Sequence, residues 1–268
     1  MKYKKVITRT KPQKLKVALI LTGFMRNWDF NYPFIKKEIL DTYDPDVYIS
    51  SYTYSQLYTH PEYKSADVPI DIEKVVDTYK PTNYLFRDKE TCPPFRFESE
   101  GKEMLGRPYS LREIWGWYTN YLALDLCDVD DYDYIIKLRT DIALRNFRLD
   151  KKYPFVIPAW KVHPGPCEPT DSLIDYFAYG TPKYMKKYLE LYTKMQEMHQ
   201  TDKADISLGE TLLKDYVDHY IGREDLYFDF LTDWNLRGEM WETDRVLEFK
   251  KNSPHSVCSY EHEIIHSL

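Results

Sequence analysis

The stretch DDYDYIIKLRTDIAL, residues 130–144, decides how the whole chain is read. From Tyr134 to Arg139 it reads as a buried strand. The run then ends on Arg139-Thr140-Asp141. On an extended backbone residues i and i+2 point the same way, so Arg139 and Asp141 face one place together. Two readings follow. Asp141 is placed to ligate a cation, with Arg139 meeting phosphate or orienting the acid; or the two form a structural ion pair that closes the strand.

The segments on either side set this strand in an α/β chain. KVALILT (16–22) reads as a strand ending at Gly23, and NYPFIKKEILDTYDP (31–45) as a helix with Pro33 in its first turn. DVYISSY (46–52) is a second strand, DIEKVVDTYKP (71–81) a short helix and NYLF (83–86) a third strand. Residues 87–109 show no period and read as a long loop. Ser110 to Glu113 form a capping box that opens a helix with an apolar stripe through Leu111, Ile114, Trp115, Tyr118, Leu122 and Leu126. Trp115 is expected in the core. VIPAWKVHPGPCEPTD (156–171) reads as a Pro-rich connection leading to a strand, SLIDYFAYG (172–180). Thr181-Pro182 then starts a helix carrying Met185, Tyr188, Leu189, Tyr192 and Met195. ISLGETLLKDYVDHYIG (206–222) is a last helix stopped by Gly222, and LYFDFL (226–231) is strand-like. The expectation is a mostly parallel central sheet flanked by helices, with an α+β C-terminal portion, as one continuous domain over 16–268 behind a basic tail, 1–15.

Bulk properties narrow the partners. The 268 residues carry a net charge of −6, which argues against a nucleic-acid polymer, since phosphate chains need a basic surface. Seven cations without an acid occupy the first sixteen residues, a solvated tail or a weak contact with an anionic membrane surface. No apolar stretch is long enough to span a bilayer, no signal-peptide pattern opens the chain, and Cys92, Cys127, Cys167 and Cys258 show no CxxC spacing. A cytoplasmic setting is expected.

Several chemistries are missing their motifs. There is no GxGxxG after the first strand, no GxxxxGK[ST], no GxSxG and no HExxH. A phosphate-bearing ligand would therefore rest on a metal-bridged diphosphate, which asks for a carboxylate and basic groups more than for glycines. Strand ends in such sheets carry the ligand groups, and LTGFMRNW and LRTD are the two that stand out.

KVALILTGFMRNW (16–28), DPDVYISSYTY (44–54), YDYIIKLRTDIAL (132–144) and DYFAYGTPKYMKKYLELY (175–192), in this order, resemble the GT-A-fold glycosyltransferases of surface-polysaccharide synthesis. Among these, the WavE-type lipopolysaccharide proteins and glycosyltransferases of large DNA viruses share the layout. The resemblance implies a Rossmann-like GT-A domain that transfers a hexose or pentose from a nucleotide-diphosphate donor to a glycan acceptor, assisted by Mn2+ or Mg2+. It places Asp141 at the position that does the work of the DxD motif on the metal. Thr22, Gly23 and Arg26 fall in the part that cradles the nucleotide, with Arg139 beside them. The chain departs from DxD by having Arg-Thr-Asp, and its DxD triplets, Asp128–Asp130 and Asp131–Asp133, stand before the strand. His262, four residues from His266, is a second candidate metal ligand; both also read as a polar tail.

Transfer also needs a carboxylate to take the acceptor proton if the reaction inverts. Asp171, Asp175, Asp205 and Glu210 are the candidates: Asp175 for contact with donor sugar or acceptor, Asp205 and Glu210 for the base. Ser207 to Glu210 is itself a capping box, a competing reason for Glu210. A catalytically silent nucleotide- or sugar-binding protein, and a sugar-nucleotide nucleotidyltransferase lacking its glycine-rich loop, are the other classes.

Overall fold

Period-two alternation in the strands sorts their apolar side chains onto two faces, and helices cover both. A computed structural model describes residues 14–59, 64–88, 111–142, 144, 147–159, 173, 175–201, 209–222 and 226–230. Its strands are β1 (Val17–Thr22), β2 (Asp46–Tyr52), β3 (Tyr54–Thr59), β4 (Lys64–Pro69), β5 (Asn83–Arg87), β6 (Tyr134–Leu138), β7 (Phe155–Ala159), β8 (Phe177–Gly180) and β9 (Leu226–Phe230). Seven of them form one sheet in the order β5-β2-β1-β6-β8-β7-β9, and β3 and β4 make a separate antiparallel hairpin. Only β8 runs against its neighbours, so the sheet is mostly parallel.

On one face Leu19, Leu21, Ile49, Ile136 and Leu138 pack with Ile35, Ile39, Val75 and Tyr79. These last come from α1 (Trp28–Ile35), the π turn Lys36–Leu40 that prolongs it into α2 (Asp41–Tyr43), and α3 (Ile72–Tyr79). On the other face Ala18, Ile20, Tyr48 and Ile135 meet α4 (Leu111–Leu122), α5 (Pro182–Leu189), α6 (Leu191–Gln200) and α7 (Gly209–Tyr216). Each fully buried Leu or Ile contributes roughly 1.5–3 kcal/mol, which outweighs the weak intrinsic preference of such short helices.

The local signals mostly act as their chemistry dictates. Asp71 caps α3 by accepting from the Lys74 backbone N–H at 3.0 Å, Pro182 opens α5, and Gly222 ends the π turn after α7 at φ 92°. The first helix starts at Trp28, earlier than its sequence suggests, so Pro33 lies inside it. The connection 156–171 is also not all loop, since its first four residues, Val156 to Ala159, lie in β7. Pro158 is tolerated there because the β7–β8 ladder is already finished at Val156 and only β9 continues alongside. The hairpin β3–β4 was not expected from the sequence. Conversely, β8 is only four residues long, and Asp175 sits in the turn before it rather than within a strand.

The DxD triplets are confirmed at the amino end of β6. Asp128 caps the 3-10 turn Val129–Asp131, Asp133 accepts from the Lys16 backbone N–H at 2.8 Å, and Asp131 faces the Lys16 ammonium at 3.9 Å. Among the described residues no helix is long and apolar enough to cross a membrane. Of the basic tail, Lys14 and Lys16 belong to the described fold, Lys14 pairing with Asp44 at 2.6 Å. Residues 1–13 and Ser110 of the first capping box lie outside the described residues.

Candidate functional site

Parallel pairing of Leu21 with Leu138 brings β1 and β6 to a common carboxyl edge, so the loops that follow them emerge side by side. Thr140 joins the two. Its side chain is fully buried, its hydroxyl lies 3.4 Å from the carbonyls of both Phe24 and Arg26, and its own carbonyl accepts from Asn31 Nδ2 at 2.9 Å. Residues 23–26 are thereby held against the Arg139–Asp141 triplet.

The loop is fixed from behind as well. Thr22 is buried and donates its hydroxyl to Asn120 Oδ1 at 2.5 Å. Gly23 N–H donates to Thr119 Oγ1 at 3.0 Å, and Ser51 Oγ donates to the Gly23 carbonyl at 2.7 Å. Thr22 and the Gly23 backbone are therefore committed to shaping the loop. Gly23 has φ 86°, a left-handed conformation that costs any residue with a Cβ, although a Cβ itself would meet Arg139 Cγ at an ordinary 3.7 Å.

The charged groups converge. Asp141 Oδ1 accepts from Arg139 Nε at 3.0 Å and Oδ2 from Arg139 Nη2 at 2.5 Å, a two-pronged pair. Arg26 Nη1 lies 3.7 Å from the same Oδ2, and Arg139 Nη1 lies 3.6 Å from Asp175 Oδ1. Side-chain exposures of 13% for Arg26, 14% for Asp141, 19% for Asp175 and 27% for Arg139 leave the group largely sunk but not sealed from solvent. Burial pushes the Asp141 pKa up, but the charge and hydrogen bonds of Arg139, with Arg26 behind them, hold it below the ordinary carboxylate value. Of the two expectations for the triplet, the structure shows the ion pair: Arg139 and Asp141 do pair, and the pair faces Arg26 and Asp175.

Lys137, two residues before Arg139, is completely buried. Its ammonium donates to the Asp175 carbonyl, which also accepts from the Tyr188 hydroxyl at 3.0 Å. Burial pushes its pKa down to about 7, against the opposing pull of Asp175 and Asp141. Beside Arg26, the rings of Phe24, Tyr52, Tyr54 and Trp115 form an aromatic wall, with Phe24 5.1 Å from Tyr52 and the Arg26 guanidinium 5.2 Å above Phe24. Trp115 is partly buried in this wall rather than in the main core.

Of the expected site residues, Arg26, Arg139, Asp141 and Asp175 come together, with Thr22 and Gly23 supporting them. Glu210 lies on α7, but its side chain, like Asp171, Asp205, His262 and His266, is outside the described residues. Sequence reasoning missed Lys137, Thr119, Asn120 and Ser51. Lys137 had a signal, a lone charge inside YIIKL; so had Thr119-Asn120, a polar pair amid the aromatic stripe of α4.

The resemblance implies a divalent cation at Asp141. Mg2+ and Mn2+ take oxygens with lone pairs to give, several at once. Both Asp141 oxygens are engaged by Arg139, and among the described residues no three His, Cys, Asp or Glu side chains cluster as a metal site. A cation about 4 Å from a guanidinium is repelled by about 4 kcal/mol per unit charge at an effective dielectric near 20. The described residues do not fit a divalent cation at Asp141. No protein-family model matches the chain, and neither does any curated protein.

Proposed function

We propose that the chain is a nucleotide-sugar-dependent glycosyltransferase of GT-A-like fold acting on a glycan under construction. The observation that carries this is the convergence of Arg26, Arg139, Asp141 and Asp175, from three separate segments, at the carboxyl edge of the central strands. In a mostly parallel sheet that edge is where ligands bind, and two guanidiniums there suit a diphosphate. The buried aromatic cluster of Phe24, Tyr52 and Tyr54, with Trp115 against it, backs Arg26 and holds the loop that carries it.

The reaction follows from those groups. The acceptor oxygen forms a bond to the anomeric carbon, the bond from that carbon to the diphosphate breaks, and its electron pair leaves on the nucleoside diphosphate. The guanidiniums of Arg26 and Arg139 meet the charge that grows on the leaving oxygen. The acceptor hydroxyl gives its proton to a carboxylate, and of the two described at the site Asp175 takes this role, since both Asp141 oxygens are held by Arg139. No step is routed through a divalent cation.

The test is release of nucleoside diphosphate from UDP-, GDP- and dTDP-linked sugars, with and without glycan acceptors. Turnover of at least one donor, lost in Arg26→Gln, is expected. Affinity for the nucleotide without turnover of any donor would instead establish a silent binder on the same scaffold.

A further inference from the structure

The four contacts among the site charges fall into two kinds. Arg139 spends Nε and Nη2 on Asp141, at 3.0 and 2.5 Å. The remaining two contacts are long and use other nitrogens: Arg139 Nη1 to Asp175 at 3.6 Å and Arg26 Nη1 to Asp141 at 3.7 Å. An incoming anion competes with these two long contacts, at Arg139 Nη1 and Arg26 Nη1, while the tight Arg139–Asp141 pair stays closed. A guanidinium held this way on one edge presents its other edge in a fixed direction, the arrangement that favours paired hydrogen bonds to phosphate oxygens.

We propose that this site holds the donor's diphosphate directly through Arg26 and Arg139, without a divalent cation, and that Asp141 is the positioning residue that fixes Arg139. This rests on the glycosyl-transfer reading. Asp141 here does the opposite of ligating a metal: it spends its charge orienting a cation that the protein itself supplies. As the diphosphate takes Arg139 Nη1, Asp175 loses its long contact and its carboxylate is released to the sugar or acceptor. The Asp175 backbone stays where it is, because its carbonyl is held by Lys137 and Tyr188.

Calorimetric titration of the full chain, freed of metal with EDTA, against UDP, GDP and dTDP tests this. Each titration is repeated in excess Mn2+ and in excess Mg2+. At least one nucleoside diphosphate should bind in EDTA, with an affinity that metal improves less than about tenfold. Arg26→Gln should weaken that binding about tenfold or more at an unchanged melting temperature. Asp141→Asn should weaken it in EDTA and in metal alike, and Asp141→Glu should restore part of it. Binding that appears only with metal, or tightens about tenfold or more with it, overturns the metal-free site while leaving the glycosyltransferase reading standing. No binding of any nucleoside diphosphate under any of these conditions overturns that reading as well. Should Asp141→Asn fail to fold, the wild type's metal dependence and the Arg26→Gln titration decide the metal-free site, and Asp141→Glu decides the positioning role: binding unchanged in that variant would overturn it.

Discussion

Replacing Lys137 by Met should make the protein more stable, and by an amount that depends on pH. Met nearly conserves the volume of the buried side chain and removes only its amine. In the folded chain burial lowers the Lys137 pKa from 10.5 to about 7. Between those values the unfolded chain carries a proton that the folded chain has shed, so this group makes stability rise with pH from about 7 to about 10.5. Below pH 7 both states are charged and the penalty is complete, about 4–5 kcal/mol at ~1.36 kcal/mol per pKa unit. Against this, the variant loses one hydrogen bond to the Asp175 carbonyl, worth about 1 kcal/mol because that carbonyl keeps the Tyr188 hydroxyl. The net gain for Lys137→Met is then about 3–4 kcal/mol at pH 6, about 2–3 kcal/mol at pH 7.5 and under about 1 kcal/mol at pH 10. Guanidinium unfolding followed by the fluorescence of the six tryptophans, for both proteins from pH 6 to 10, measures the difference and cancels the other titrating groups. A gain that does not shrink with pH, or a loss at every pH, would refute the reasoning. It would mean that Lys137 keeps its proton in the fold, held by Asp175 more strongly than burial opposes it.

Asp141→Asn removes the carboxylate charge lying between two guanidiniums and should cost about 1–3 kcal/mol, less than a fully buried pair because the groups retain some exposure. Since the folded Asp141 pKa lies below its ordinary 3.8, that contribution is complete above about pH 5 and fades as pH falls through the folded value. Urea unfolding at pH 7 and pH 3 should show the gap between wild type and variant narrowing in acid; a gap that widens there would contradict the pairing. Gly23→Ala should cost about 1–2 kcal/mol through its positive φ alone, with nucleotide affinity falling as the loop carrying Arg26 shifts. Stability unchanged in the melting temperature would mean that the loop adopts another conformation. Gly180→Ala places a Cβ 2.7 Å from the Pro154 carbonyl oxygen, which is backbone and must move, so a loss of about 1–3 kcal/mol without any change in nucleotide binding is expected.

The sheet was legible where strand residues are buried on both faces. VALILT, DVYISSY and YIIKL announce themselves by apolar continuity, and the Asp71 cap, Pro182 at the head of α5 and the Gly222 stop act through local backbone chemistry that a sequence displays directly, whereas Thr181 stands at its N-cap position without a side-chain hydrogen bond. What was not legible depends on neighbours. Pro158 argues against a strand unless it is known that the β8 ladder ends at Val156. Asp175 looked like a charge inside a strand because it is flanked by Leu173, Ile174, Tyr176 and Phe177, yet pairing with β6 begins only at Phe177. At the site, Arg139 and Asp141 were visible as a pair that breaks an apolar run. Their geometry was not. The same two residues serve a metal-ligating aspartate or an arginine clamp, and only the directions of Nε and Nη2 toward both carboxylate oxygens separate these. Asn120 and Thr119 could not be assigned either, since their hydrogen bonds reach back 98 and 96 residues to Thr22 and Gly23.

The most direct test of the account is a crystal structure of the chain grown in EDTA with the nucleoside diphosphate that binds tightest. The diphosphate is expected at the carboxyl edge of β1 and β6, its oxygens within hydrogen-bond distance of Arg26 and Arg139 Nη1, the Arg139–Asp141 pair closed, and Asp175 turned free of Arg139. A diphosphate bound away from both arginines, or one seen only after Mn2+ is added and bridged to Asp141 through it, would contradict the account.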